Sequence, residues 1–340
     1  MGQQSGATLE KVAALAKVSR ATAARALNGY GYVGEETAKR VRAAADRFGY
    51  QTNRVAQALR SGQLPIIGFV PGDIQNPFFA RIAHDIDVAL RRHRFNILIA
   101  SNGENTVQER QVLAGLRALN PQGLILAPAS TKDCSHILDL VRDGIPVVLI
   151  DRLARNVACD SVTVDNEAGA RAAIEHLVEM GHERIGFLGD ATPIFTAEER
   201  LSGYRKALSS RRIHYDRRLI VTARSTVQDA IEATVKLFRR RPRPTALLTV
   251  DSIMTQGALL GLRSLGLAIP EDVSLIGFDD FDLATFTNPP ITVVAQPTEE
   301  IGRLAAQLLL ERLERTDMKP RIVRFSTQLV PRGSVRRLRL

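Results

Sequence analysis

The run Thr8–Gly29, TLEKVAALAKVSRATAARALNG, holds two short helical patterns around one tight break. Leu9, Val12, Ala13 and Ala16 recur at i, i+3, i+4 and i+7, the spacing that lines up one apolar helix face. Ser19 stands where a helix N-cap is needed, and the period resumes through Ala23, Ala26 and Leu27. Asn28-Gly29 supplies the stop. Two helices of about two turns each, joined by a turn of roughly three to four residues, make a helix-turn-helix. The second helix of that motif lies in the major groove of DNA.

Around this run, the chain of 340 residues is 45% hydrophobic, which is enough for two or three folding units with ample core. The net charge of +10 is unevenly placed. Residues 1–62 hold ten Lys/Arg against four acids, leaving +6 on under a fifth of the chain and +4 on the rest. A small basic domain on a near-neutral body is the electrostatic footprint of a polyanionic partner. Cys134 and Cys159 have no CxxC or His cluster around them, so neither a disulfide framework nor a metal site is expected, and no cofactor. No apolar run precedes Thr8, so no export signal or membrane span is expected and the protein is placed in the cytoplasm.

From Ile66 onward short apolar runs alternate with helical patterns. Ile66–Val70, Asn96–Ala100, Gly123–Ala127 and Pro146–Ile150 read as buried parallel strands of one lobe. Ser161–Val164, Arg184–Leu188, Leu219–Thr222, Ala246–Val250 and Ser274–Phe278 read as a second series. Repeated βα units predict an α/β, doubly wound parallel sheet, and two series predict two lobes. Such sheets bind ligands beyond the carboxyl ends of their strands. Those positions hold Asp73 with Asn76, Phe78 and Phe79, then Asp151-Arg152, Asp251 and Asp279-Asp280. Arg200 lies in the helix-opening run AEERLSGY, and Gln296 follows the strand-like Thr292–Val294. A sugar needs this mixture: carboxylates accept from hydroxyls, Arg and Gln fix orientation, and an aromatic ring covers the C–H face. Asp251 and Asp280 read equally as helix N-caps, one of Phe78 and Phe79 as core, and Asp165 as a cap.

The motif VSRATAARALNG (Val18–Gly29) resembles the LacI family of bacterial transcription repressors, whose usual form is close to VSxxTVSRxLN. Val33 with EETAKRV (Glu35–Val41) resembles the family's third helix, FGYQTNRVAQALRSG (Phe48–Gly62) its hinge, and weaker echoes run to PRGS (Pro331–Ser334). The resemblance implies a small all-α helix-turn-helix domain over residues 1–52, a hinge over 53–62, and a two-lobed, periplasmic-binding-protein-like effector and dimerisation domain over 63–340. It places Arg20, Ala21 and Arg25 at base edges, while Ser19, Thr22 and Asn28 suit phosphate oxygens. Arg25 fits guanine bidentately, or holds another phosphate. In the hinge, Asn53, Arg54 and Leu59 are placed at the DNA, Leu59 as a minor-groove wedge.

In the effector domain the resemblance puts Asn76, Phe79, Asp151, Arg152, Arg200, Asp251, Asp279 and Gln296 in the cleft. Three departures stand out. Lys17 replaces the common turn glycine, which is tolerable if the turn avoids positive φ. Ala23-Ala24 replaces Val-Ser, and Asp251-Ser252 replaces the frequent Asn-Asp, removing an amide donor from one corner of the pocket. The implied partners are a pseudo-palindromic duplex operator, a second copy of the chain and a small carbohydrate-like effector. A purine or nucleoside corepressor, or a body that senses a partner protein, are the alternatives. An enzyme is not expected. GFVPGD stands where GxGxxG would follow the first strand, no GxxxxGK[ST] occurs, and the six histidines form no catalytic set.

Overall fold

The computed structural model describes residues 8–28, 31–50, 64–191, 194–315 and 317–338. Internal contacts divide the chain into two compact units, one up to Leu64 and one from Pro65. The hinge residues Asn53, Arg54 and Leu59 lie outside the described residues, as does the side chain of Asn28.

The first unit is three helices: α1 (Leu9–Leu15), α2 (Arg20–Asn28) and α3 (Glu35–Phe48). Thr8 Oγ1 accepts from Lys11 N to start α1, and Ser19 Oγ accepts from Thr22 N at 3.1 Å to start α2. Val12, Ala13, Ala16, Ala23, Ala26, Val41, Ala44 and Ala45 make the core. Alanine at most of these places lets the helix axes approach closely, which is what Ala23 and its buried neighbour Ala24 contribute. The turn between α1 and α2 does not avoid positive φ: Lys17 sits at φ +54°. The sequence condition for tolerating a lysine there is therefore not met, and Lys17 holds a conformation that glycine adopts without penalty.

The second unit contains two six-stranded sheets. The first has the order β11–β5–β4–β3–β1–β2 and the second β12–β10–β9–β8–β6–β7. The strands are β1 (Leu64–Val70), β2 (Asn96–Ile99), β3 (Pro121–Leu126), β4 (Val147–Ile150), β5 (Asp160–Val164) and β6 (Ile185–Asp190). They continue with β7 (Ile220–Ala223), β8 (Ala246–Thr249), β9 (Ser274–Phe278), β10 (Thr292–Ala295), β11 (Ile322–Phe325) and β12 (Gln328–Val330). The two orders match strand for strand, so each lobe repeats the other's winding. Neighbouring pairs such as β4/β5 and β9/β10 are parallel, whereas β12 runs antiparallel to β10.

The helices are α4 (Pro77–Arg91), α5 (Thr106–Ala118), α6 (Ser135–Arg142), α7 (Asn166–Glu179), α8 (Phe195–Ser210) and α9 (Val227–Arg239). After them come α10 (Ser252–Ser264), α11 (Asp282–Phe286) and α12 (Thr298–Glu314). Among the described residues no helix is long and apolar enough to cross a membrane.

Two strand expectations need correction. Ser161–Val164 belongs to the first sheet, paired to β4 and β11, so the chain leaves the first lobe after Val164 and not after Ile150. Local sequence makes a strand; its hydrogen-bond partners decide the lobe. Asn96–Ile99 is not buried but an edge, with Leu98 and Ile99 exposed. The chain crosses between sheets three times: from β5 to β6, from β10 to β11, and from β11 to β12.

Candidate functional site

On α2 the exposed side chains are Ser19 before the helix, then Arg20, Ala21 and Arg25, with Thr22 half-buried. Ala21 and Arg25 are four residues apart, so they share the solvent face opposite the core alanines. Arg20 Nη1 pairs with Glu10 Oε1 at 3.0 Å, an exposed contact that is easily exchanged for another partner. The Arg25 stem crosses Gly31, whose φ is +71°; a Cβ there would lie 3.2 Å from Arg25 Cδ. The Ser19 and Thr22 hydroxyls bond each other at 2.9 Å at the positive end of the helix, where anions are favoured.

In the second unit the carboxyl ends of both sheets supply one buried ionic cluster. Arg152 follows β4, donates to both oxygens of Glu104, and reaches Asp151 Oδ2 through Nε at 3.1 Å. Glu104 lies directly over Gly72, where a Cβ would stand 2.0 Å from Glu104 Oε1. Burial opposes the Arg152 charge, yet Glu104 and Asp151 push its pKa above the ordinary value. Arg200, buried on α8, donates through Nε to Asn166 Oδ1 at 2.8 Å and through Nη1 to the Val250 carbonyl. Its guanidinium covers the Phe278 ring at 3.7 Å. It does not pair with Glu198 or Glu199, and its field reaches Asp279, Asp151 and Asp251.

Asp151 and Asp279 occupy matching places in the two lobes. Each follows its strand, at φ +64° and +72° respectively. Each donates its amide to the adjacent strand, Asp151 to Val162 O and Asp279 to Val294 O, both at 2.9 Å. Non-glycine residues in the left-handed region gather where structure is held for function. Burial raises the pKa of Asp151 and of Asp251 against nearby arginines and hydrogen bonds. Burial pushes Asp279 up to about 6, despite Arg200 and the amide of Gln296. Gln296 Nε2 donates to Asp279 Oδ1 at 2.5 Å, while Gln296 Oε1 is buried with no hydrogen-bond partner among the described residues.

Other expected residues have mixed roles. Asp251 is the N-cap of α10: Met254 N donates to it at 2.6 Å and Ser225 Oγ at 2.9 Å, so its own lobe engages both oxygens. Asp280 takes a two-pronged bond from Arg332, and Asp165 caps α7. Asp73 closes the turn before α4 by accepting from Gln75 N at 2.9 Å. Asn76 caps α4 and accepts from Ser252 Oγ of the other lobe at 2.9 Å. Serine at position 252 thus has a bridging partner.

Phe78 and Phe79 are both buried in the first-lobe core, because they lie on the α4 face that packs against the sheet. Phe79 also borders the ionic cluster: its Cε2 would lie 3.2 Å from a Cβ at Gly72, the glycine that Glu104 covers. Phe195 lines an inter-lobe cavity of about 420 Å³ with Leu153, Arg155 and Glu198, and none of Asp151, Arg152, Arg200, Asp279 or Gln296 lines it. Sequence reasoning does not single out Glu104, Asn166 or Phe195. Glu104 is within reach of the strand-end rule, since it follows β2. Among the described residues no His, Cys, Asp or Glu group is arranged to hold a metal.

Comparison with known proteins gives a consistent set. The model for bacterial regulatory proteins of the lacI family matches residues 8–53, and that for a periplasmic binding protein-like domain matches residues 174–335. The HTH-type transcriptional repressor CytR of Escherichia coli (strain K12) is 32% identical over 336 residues, spanning 99% of this chain and 98% of CytR. The HTH-type transcriptional repressor PurR of Photobacterium profundum is 30% identical over 338 residues, spanning 98% of this chain and 99% of PurR. The solved complex of the transcriptional regulator CelR with cellobiose superposes at TM-score 0.73 and 31% identity, over 96% of this chain and 99% of that one.

Proposed function

This chain belongs to the lacI family of bacterial regulatory proteins, and from that premise we propose that it is a homodimeric transcriptional repressor whose grip on DNA is set by a carbohydrate in the inter-lobe cleft. α2 reads base edges through Arg25, with Arg20 and Ala21 beside it. One such helix covers only a few base pairs, so two copies on paired half-sites give useful specificity. Asn53, Arg54 and Leu59 of the hinge join the DNA contacts, Leu59 as the wedge. The protein is not an enzyme and works in the cytoplasm.

The observation that carries the ligand reading is the ionic cluster with its free acceptor. Carboxylates Asp151 and Asp279, the Arg152 and Arg200 guanidiniums and the unpartnered Gln296 Oε1 together suit a compact polyol rich in paired hydroxyls. Phe79, beside Glu104 over Gly72, offers the apolar face such a ring needs. CelR, described with cellobiose, supports the same class.

The test selects duplex sites from a random library with the full chain, then titrates the complex with ribose, glucose, cellobiose, adenosine, cytidine and hypoxanthine. One carbohydrate should change site affinity at least about tenfold, or 1.4 kcal/mol of differential binding. A response confined to the nucleosides or base moves the assignment to a nucleoside corepressor. No thermal shift with any of them sinks the small-molecule reading.

A further inference from the structure

The near-neutral charge of the body conceals a local extreme. Residues 211–218, RRIHYDRR, and 236–243, KLFRRRPR, together hold nine basic side chains and one acid, which leaves the rest of the body net acidic. In sequence these are separate segments, the second starting in the last turn of α9. The sheet brings them together. The first leads into β7 and the second into β8, and β6 lies between these strands in the order β8–β6–β7. The register aligns Ile185 with Ala246 and Phe187 with Ile220, so both segments emerge at the amino ends of the strands. The cleft residues Asp251 and Asp279 lie at the carboxyl ends, so this basic surface is the opposite pole of the same lobe.

Arginine side chains donating to backbone carbonyls tie the segments into one surface. Arg184, just ahead of β6, donates to the Pro242 carbonyl and through Nε to Arg243 O at 3.2 Å. Arg240 Nη1 donates to Arg218 O at 2.5 Å. The segment after β12 arrives at the same pole, where Leu338 N donates to Met180 O at 2.8 Å. Glu179 pairs with Arg211 and Asp216 with Arg218, and Glu183 is exposed nearby. Arg212, Arg217, Arg239, Arg241, Arg336 and Arg337 are exposed and have no ion pair among the described residues.

Arginines are favoured at helix C-termini, which accounts for one or two per helix and not for this density. Arg212 also holds φ +58° at the end of α8, a place that glycine fills without strain. The pole has no exposed large apolar side chain among the described residues. Protein interfaces are built on buried aromatic and aliphatic anchors, whereas nucleic-acid interfaces are polar and dense in positive charge. Arginine's planar fork suits phosphate oxygens.

We propose that this pole of the second lobe is a second, sequence-independent nucleic-acid surface that takes the phosphate backbone of duplex DNA. It is separate from α2 and does not depend on the identity of the cleft ligand.

The experiment uses the full chain carrying Arg20→Ala and Arg25→Ala, so that the recognition helix does not dominate, with a mixed-sequence duplex of about 30 base pairs as probe, followed by anisotropy across roughly 50–200 mM salt. Into this background go Arg217→Gln, Arg239→Gln and Arg241→Gln together. All three are exposed, so the melting temperature should not move. Affinity at low salt should fall at least about tenfold, and the salt slope by roughly 2 to 3, since each phosphate no longer neutralised accounts for about 0.9. A charge-matched control takes Arg92→Gln, Arg94→Gln and Arg303→Gln, all exposed on the first lobe. An equal weakening in both triples, or none in the first, overturns the proposal. So does a first triple that keeps duplex affinity while losing polyglutamate or phosphatidylserine vesicles, which would make the pole an acidic-protein or lipid surface.

Discussion

Lys17 is the clearest single-residue tension in the DNA-reading unit. It turns the chain from α1 to α2 at φ +54°, a conformation that strains any residue with a Cβ by about 1 kcal/mol or more. Lys17→Gly removes that strain and returns part of the gain as extra freedom in the unfolded chain. The net effect expected is stabilisation by up to about 1 kcal/mol, seen as roughly fivefold slower amide exchange in α1 and α2. Unchanged or faster exchange would show that the surrounding turn already relieves the residue.

Asp279 carries a second tension. Its pKa is about 6 in the folded protein against 3.8 ordinarily, because burial outweighs Arg200 and Gln296. Between these values the folded state holds a proton that the unfolded state has released. Stability contributed here therefore falls as pH rises from about 4 to 6, and the deficit is complete above that. Asp279→Asn should stabilise the unliganded protein at pH 8 by an amount on the order of 2–3 kcal/mol and hardly at pH 4. Urea titrations at the two pH values check this. A difference independent of pH would mean that the carboxyl titrates normally.

At the scale of elements, α2 is where specificity is expected to reside. Arg25→Ala should lower affinity for a selected site by about 1–3 kcal/mol and relax preference at one base pair per half-site. Binding to random duplex should fall far less. Equal losses on both would make Arg25 a phosphate contact. This helix is legible in the sequence because its core face, Ala23, Ala26 and Leu27, follows the 3.6-residue period without interruption. β5 is legible as a strand but not as a member of the first sheet, since the same apolar run can pair on either side of a crossing. β11 and β12 leave no clear signal: IVRF and QLV are short, sit at sheet edges and are only partly buried. Asp151, Arg200 and Asp279 can be picked by position after a strand or at a helix opening. Their joint burial is set by packing between elements far apart in sequence.

At the scale of the whole molecule, side chains of the two lobes bond across the gap between them. Arg81 of the first lobe reaches Asp282 and the Asp280 carbonyl of the second, Asn76 meets Ser252, and Arg324 meets Glu199. A ligand that favours one lobe arrangement shifts the population only by its differential affinity for the two. Arg200→Ala should remove that differential, leaving an unpaired ligand group at a cost of about 1–3 kcal/mol. The variant is expected to bind its DNA site normally and to ignore the effector that moves the wild type. Calorimetric titration showing wild-type effector affinity would remove Arg200 from the cleft machinery.

The three crossings also bear on how the protein is made. Each sheet receives an outer strand from residues 322–330, β11 on one side and β12 on the other. A ribosome that has translated as far as Lys319 has therefore finished neither lobe, although nearly all of both cores has already been synthesised. The three-helix unit at the start meets no such delay and can fold while the rest is still being made. During synthesis the nascent protein thus passes through a stage in which its DNA reader is formed and its sensor is not.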